Sequence, residues 1–407
     1  MALLSHFRSL TAQQRHAFYA CFLGWSLDAF DYFLLVFCLS AIAGDFHRKT
    51  SEVAEAIFLT LAFRPVGAFL FGRLADRFGR RPTLMLNIVC YSGLMVACAF
   101  APSLHALLVL RALFGIAMGG EWGVGAALAF ESLPKEGRGF FSGLLQEGYA
   151  AGYLIAAAAY GALFHFVGWR GLFLIGAIPA VLVFYIGFKV EESPAWSRQD
   201  ARSNLAKRTG FLQNLRQYGW NFLSLVVLMT VFTAFSHGTQ DLYPTFLEKD
   251  LGFSPSVVGV VGILYNIGAI CGGILFGSLS ERWGRKRAII AAALLALPVI
   301  PLYALSHSVY WIAAGAFCMQ FFVQGAWGVV PAYLSELSPG PVRATFPGLA
   351  YQLGNLITSK NGVLQARAAE RMGGLGRVLA ATVLVVALLL ALVTSVGKES
   401  RGADLGG

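Results

Sequence analysis

The chain has 407 residues, 57% hydrophobic and 13% charged, with a formal net charge of +10. Soluble domains carry about 25% charged residues, so this chain is short of groups to cover a wet surface and is not an ordinary soluble globular protein. Its basic excess is spread over loops that alternate along the chain, so no nucleic-acid partner is expected.

Apolar runs of about 20 residues recur along the whole length, each long enough to cross a bilayer core. The alternating segments of about ten residues that mark a membrane β-barrel do not occur. The spacing predicts an all-α membrane protein with twelve spans: 17–42, 53–74, 82–101, 104–131, 140–165, 168–189, 220–245, 255–280, 287–306, 308–335, 342–364 and 375–397. One long polar connection, EESPAWSRQDARSNLAKRTGFLQNLRQYGW, follows span 6 and carries Arg198, Arg202, Lys207, Arg208 and Arg216. The expected organisation is an N-terminal six-helix half (1–190), a basic linker (191–219) and a C-terminal six-helix half (220–407).

The termini, the linker and the loops on their side hold 21 Lys and Arg, the opposite loops 8, and Arg64 and Arg111 lie inside spans. The positive-inside rule therefore places both termini and the linker in the cytoplasm. The opening MALLSHFRSLTAQQRH runs straight into a span, so no cleaved signal peptide is expected. Cys21, Cys38, Cys90, Cys98, Cys271 and Cys318 all lie in apolar spans without ligand spacing, so neither a disulfide framework nor a metal site is expected.

An internal repeat turns the helix count into a fold. GRLADRFGRR begins at Gly72 and GSLSERWGRK at Gly277, an offset of 205 residues. The same offset lays Gly120, Trp122 and Gly123 on Gly325, Trp327 and Gly328, and Glu131, Pro134 and Arg138 on Glu336, Pro339 and Arg343. Phe141 and Gly143 fall on Phe346 and Gly348. A constant offset across spans 2–5 and 8–11 means two homologous halves in the same orientation, which suits a carrier with its site between the halves.

GRLADRFGRR and its twin resemble the loop 2–3 signature of the major facilitator superfamily over the whole chain. GWSLDAFDYF (24–33), RPVGAFLFGRLADRFGRR (64–81), GGEWG (119–123) and QEGYAAGYL (146–154) resemble the sialate:proton symporter family within it. SHGTQD (236–241) with Thr245 is similar to the signature of the yeast-type lactate/pyruvate:proton permeases, with Thr233 where that signature has Asn. The resemblance implies the major facilitator fold, with two pseudo-symmetric six-helix halves. It also implies a gate at loop 2–3 that breaks and reforms, to which Gly72, Asp76, Arg77, Gly79, Arg80 and Arg81 are assigned, with Glu281 and Arg282 as a weaker second copy.

Ionisable groups deep in a span are costly and need a partner or a task. Asp28 and Asp31 lie roughly 16–21 Å along span 1 at about 1.5 Å per residue. Either could form a structural ion pair with Arg64, or could carry a coupled proton. Arg64 is the candidate anion ligand, because a guanidinium forks onto a carboxylate. Glu121 and Arg111 could pair across helices. Glu147 is either a second protonatable carboxylate or a hydrogen-bonding link between helices, beside Gln146.

His237 and Asp241 sit one turn apart on one helix face with Gln240 beside them. The offset places His237 on Tyr32, so the block occupies in span 7 the place of the acidic pair in span 1. His237, Gln240 and Thr239 could bind a carboxylate or hydroxyl, with Asp241 joining the proton-coupling set, or the cluster could be satisfied internally. Pro244 is expected to kink the span just beyond it. Tyr265, Asn266, Gln352 and Asn355 are neutral polar groups near mid-depth, with Asn266 and Gln352 as candidate contacts alongside Tyr32. Lys360 is expected to snorkel at the opposite face.

The leading expectation is proton-coupled symport of a small monocarboxylate such as lactate or pyruvate, by alternating access. The alternative is another organic anion: sialate, a dicarboxylate or an aromatic acid. The spans offer no nucleophile–base pair and no nucleotide-binding motif, so neither an enzyme, a cofactor nor ATP drive is expected. A membrane sensor would append a soluble signalling domain, and no such segment is evident. The expected partners are a small organic anion, protons and the lipid bilayer, for a monomer in a bacterial-type inner membrane.

Overall fold

The computed structural model describes residues 7–202 and 211–405, so Lys207 and Arg208 of the linker lie outside the described residues. The described residues form helices with no strand. Span 1 is Ala12–Asp45, started by a capping box in which Thr11 Oγ1 accepts from the Gln14 amide at 3.2 Å and Gln14 Oε1 from the Thr11 amide at 3.0 Å. Spans 2, 3 and 4 are Thr50–Phe78, Arg80–Ala99 and Leu104–Ser132.

Spans 2 and 3 are separated by a single residue, Gly79, at φ +111. Its counterpart at the offset of 205, Gly284, takes φ +95 between spans 8 (Pro255–Trp283) and 9 (from Arg285). This backbone region is open to glycine and to almost nothing else, which is why both copies of the loop carry one.

Among the described residues, ten segments are long and apolar enough to span a membrane. One of these, Arg138–Lys189, has 52 residues and holds two spans that reverse at Gly168, φ +63. Span 5 is itself broken at Glu147, between Arg138–Gln146 and the helix starting at Gly148. Span 11 escapes a length criterion because it is interrupted: Thr345–Thr358 is followed by a turn at Ser359–Lys360 and then by Asn361–Met372. The loop expected after residue 364 is therefore largely helical. Gln365 on that last segment is buried and donates to Gly238 O at 2.8 Å and Thr382 Oγ1 at 3.1 Å, docking it on spans 7 and 12. Span 7 ends at Gln240, and Pro244 stands at the start of the short helix Tyr243–Thr245 that follows a turn.

The buried apolar residues fall into two clusters, one per half. Ala332, Ala344 and Leu405 join the N-terminal cluster, and Trp25 and Trp122 join the C-terminal one. The halves meet through bare backbone on the side of the basic loops. A Cβ at Gly72 would lie 2.7 Å from Thr345 Cα, and one at Gly123 would lie 3.0 Å from Gly348 Cα. Gly143 faces the Gly273 carbonyl and Gly139 the Gly277 carbonyl in the same manner. Small residues permit this approach. The basic side is closed, and the space between the halves opens toward the other face.

Candidate functional site

That space is a cavity of about 690 Å³ between the halves. From the N-terminal half Tyr32, Arg64, Glu147 and Tyr149 line it. From the C-terminal half His237, Gln240, Asp241, Gln320 and Asn355 do so, with Asn266 and Trp327. The polar block of span 7 and the arginine of span 2 thus share one chamber, as their depths suggested.

Arg64 is 4% exposed and has no carboxylate within ion-pairing distance among the described residues. Its Nη2 reaches Met118 Sδ at 2.8 Å, and the guanidinium lies 5.6 Å from the centre of the Tyr32 ring. The structural ion pair with Asp28 or Asp31 is not formed. Both aspartates are fully buried behind the cavity wall, and none of their four oxygens has a hydrogen-bond partner. Glu121 is likewise buried without a partner, its carboxylate pressed against the bare backbone of Gly24. Neither Glu121 nor Arg111 of span 4 forms an ion pair across helices among the described residues: Arg111 contacts Met95 Sδ at 3.2 Å and lies 4.0 Å over the Phe114 ring.

Glu147 differs from these three in reaching the cavity. It occupies the break in span 5, where its carboxylate rests on Gly273 of span 8, and one of its oxygens has no partner. It therefore sits at the seam of the two halves where the cavity meets the closed side.

On the facing wall, His237 Nδ1 lies 3.1 Å from Asp241 Oδ1 and Nε2 lies 3.4 Å from Asn355 Oδ1. Gln240 Nε2 donates to Ser236 Oγ at 2.8 Å and to Gln320 Oε1 at 3.2 Å. Two expected contacts are not on this wall. Thr239 is buried and its hydroxyl turns back to Phe235 O and Ser236 O, as threonines in helices do. Gln352 is buried and accepts from Asn355 Nδ2 at 3.3 Å. Gln320 escaped the sequence reading because it is a neutral amide in an otherwise apolar stretch, one turn from Gln324, and only its neighbours in space give it a task.

The closed side is built twice. Asp76 accepts from the backbone amides of Ala344 (3.0 Å) and Thr345 (3.2 Å) and from the Thr345 hydroxyl, capping the start of span 11 in the other half. Glu281, 205 residues on, accepts from the Gly139 amide at the start of span 5. Arg80 ties Asp76 (3.3 Å) to Glu131 through two 3.0 Å bonds. Arg285 ties Glu281 (3.0 Å) to Glu336 through bonds of 3.0 and 2.9 Å.

The carboxylates then reach across the seam, Arg343 to Glu131 and Arg138 to Glu336, each at 3.4 Å. The repeat aligns these four residues with one another, and their bonds across the seam make them a latch. Glu192 bonds the amides of Arg80 and Arg81, and Glu399 those of Arg285 and Lys286. Arg81 spends its side chain on Gly187 O at 2.5 Å, within its own half. Arg77 is exposed and stacks on Phe78, 5.2 Å from the ring centre, so it takes no part in the latch. Arg282 also stands apart, and the second copy works through Arg285.

The tail after span 12 crosses the seam as well. Arg138 donates to Ala403 O at 3.1 Å, Arg343 to Leu405 O at 2.8 Å, and Leu405 is 4% exposed in the N-terminal core.

The sequence model of the Major Facilitator Superfamily matches residues 21–240 and 242–359. The chain belongs to the major facilitator superfamily. A carboxylic acid transporter protein homolog of Saccharomyces cerevisiae is 30% identical over 387 residues, covering 89% of this chain. This chain in turn spans 63% of that relative's length. The sialic acid transporter NanX of Escherichia coli is 28% identical over 354 residues, covering 86% of this chain and 85% of its own.

Among solved structures, the proton:xylose symporter XylE bound to 6-bromo-6-deoxy-D-glucose matches with a TM-score of 0.81 over 97% of this chain and 98% of that one. At 18% identity that likeness concerns the fold. The superfamily resemblance read from GRLADRFGRR is borne out. The protein is a multi-pass membrane transporter of the major facilitator fold and not an enzyme.

Proposed function

We propose that this major facilitator protein is a proton-coupled symporter of small monocarboxylates, lactate or pyruvate, working by alternating access of a site between its halves. The observation that carries the reading is Arg64, a guanidinium on the cavity wall with no protein carboxylate to neutralise it among the described residues. A substrate carboxylate supplies the missing partner through two parallel bonds. The facing wall of His237, Gln240 and Asn355 holds the remainder of a small acid.

Proton coupling is assigned to Asp28, Asp31 and Glu121, whose charged forms have no hydrogen-bond partner to offset burial, and to Glu147 at the seam. Asp241, paired with His237 on the opposite wall, completes that set. An anion arriving at Arg64 changes the charge beside Asp28 and Asp31, which is the link between substrate and proton. The capping carboxylates Asp76 and Glu281, with Arg80 and Arg285, act as the gate that opens when the halves rock. The protein acts as a monomer in a bacterial-type inner membrane, with both termini and the linker of residues 191–219 in the cytoplasm.

The cavity volume of about 690 Å³ and its rings from Tyr149 and Trp327 favour one second reading, a larger organic acid. Relatives named for carboxylic acid and sialic acid fit either. Competition against labelled lactate uptake in proteoliposomes, with pyruvate, a dicarboxylate, an aromatic acid and sialic acid, separates the two. Inhibition by short monocarboxylates supports the first reading. Robust uptake of a bulky acid with none of lactate supports the second.

A further inference from the structure

We infer that Gln320 is a positioning residue that makes the cavity select 2-hydroxy acids over 2-oxo acids, by fixing which end of the Gln240 amide faces the substrate. The inference rests on the monocarboxylate reading above.

The hydrogen-bond chain has one unambiguous end. Thr239 Oγ1 lies 3.0 Å from Phe235 O and 2.9 Å from Ser236 O, and carbonyl oxygens only accept, so its single proton is committed to them. The Gln320 atom 3.2 Å from Thr239 Oγ1 must then be the donor Nε2. That turns Gln320 Oε1 toward Gln240, where it accepts from Nε2. The second hydrogen of that Nε2 goes to Ser236 Oγ.

Both hydrogens of the Gln240 amide are therefore spent on protein. Its carbonyl oxygen has no donor among the described residues and is what Gln240 offers to the cavity it lines. Reversing the chain would set Gln320 Oε1 against a hydroxyl whose proton is already given.

The neighbouring ring offers no donor to compensate. His237 is engaged at both nitrogens, by Asp241 Oδ1 and by Asn355 Oδ1, and Asn355 is oriented in turn by its bond to Gln352. A hydroxyl next to the substrate carboxylate can donate to Gln240 Oε1. A keto oxygen has no proton and sets lone pair against lone pair. Sites that require a hydrogen bond discriminate well against the analogue that cannot make it. Gln320 is fully buried, so its own amide is desolvated and its orientation is held by these bonds.

The test is the ratio of lactate to pyruvate affinity, from competition in proteoliposomes of the full chain. The wild type is expected to favour lactate by about tenfold, the worth of one good hydrogen bond. Gln320→Met removes the acceptor, frees the Gln240 amide to turn, and is expected to bring the ratio close to parity. Gln320→Glu, as the neutral acid that full burial favours, donates its O–H to Thr239 Oγ1, keeps its carbonyl oxygen facing Gln240 Nε2 and is expected to retain the preference, which a merely space-filling role would not predict. Ser236→Ala cuts the other bond and should lower the ratio in the same direction.

A wild type that takes both acids equally overturns this inference alone. Retention of the preference in both Gln320→Met and Ser236→Ala also overturns it. A wild type that takes neither acid removes the monocarboxylate reading with it.

Discussion

Asp76 and Glu281, 205 residues apart, each cap the first turn of a helix in the opposite half: Asp76 at Ala344 and Thr345, Glu281 at Gly139. Ala344 and Gly139 are themselves 205 residues apart, so the repeat extends from residue types to the bonds that cross the seam. Losing a capping side chain costs about 1 kcal/mol. Asp76→Ala is expected to speed hydrogen exchange at the Ala344 and Thr345 amides, and Glu281→Ala at Gly139. Arg77→Ala, which removes only an exposed ring contact, is expected to change neither. Hydrogen-exchange mass spectrometry of the three variants checks this.

Arg64 should be the residue on which uptake depends most steeply. Arg64→Ala removes the cation facing the cavity, and losing one partner of a desolvated charge pair costs about 2–5 kcal/mol, so uptake at low substrate is expected to fall by about 30-fold or more. Arg64→Lys should restore little of it, because an ammonium cannot fork onto a carboxylate. Initial uptake rates normalised to protein in the membrane give the comparison.

Asp28→Asn and Asp31→Asn should separate exchange from accumulation. Each replaces an unpartnered buried carboxylate by a neutral group of similar shape. The variant that has lost the proton carrier is expected to keep substrate counterflow while losing accumulation driven by a pH gradient. Unchanged accumulation in both would assign the proton to Glu121, Glu147 or Asp241.

The tail supplies a test of how the closed side is held. Leu405 is buried in the opposite half, and burying a leucine contributes about 1.5–3 kcal/mol. Leu405→Ala is expected to lower the thermal midpoint and to raise labelling of a cysteine placed at Ser142, which is buried at the seam and accepts from the Ala332 amide of the opposite half. An unchanged labelling rate would mean that the tail rests on the latch without holding it.

Glu399 adds a pH dependence with a defined sign. Burial works against its ionisation, but the amides of Arg401, Arg285, Lys286 and Ser400 outweigh this and hold its carboxyl below the usual 4.5. A carboxyl depressed in the folded state stabilises that state above its unfolded pKa and loses the contribution as pH falls through the folded value. Wild type should therefore exceed Glu399→Gln in thermal stability at neutral pH. The difference should shrink as pH drops below about 4.5. A pH-independent difference would contradict the assignment.

Much of this architecture was legible in the chain because spans and repeats are linear signals. The glycines at 79 and 284 marked the two tight turns, and the depth of Arg64 and His237 placed both in one chamber. Three things were not legible. The latch pairs Glu131 with Arg343 and Glu336 with Arg138, across the seam and about 200 residues apart, so an alignment of the halves shows the residues but not the bonds. Span 11 breaks at Ser359–Lys360 and resumes in a polar helix docked by Gln365, which hydropathy reads as a loop. Thr239 fits a binding motif by position, but its hydroxyl is claimed by its own helix.

The central claim is that the cavity loads a monocarboxylate and a proton together. Its most direct test is uptake of labelled lactate into proteoliposomes under an inward proton gradient, followed with and without a protonophore. The account predicts accumulation above the external concentration that collapses when the gradient is dissipated. Equilibration without accumulation, or accumulation indifferent to the gradient, would contradict it.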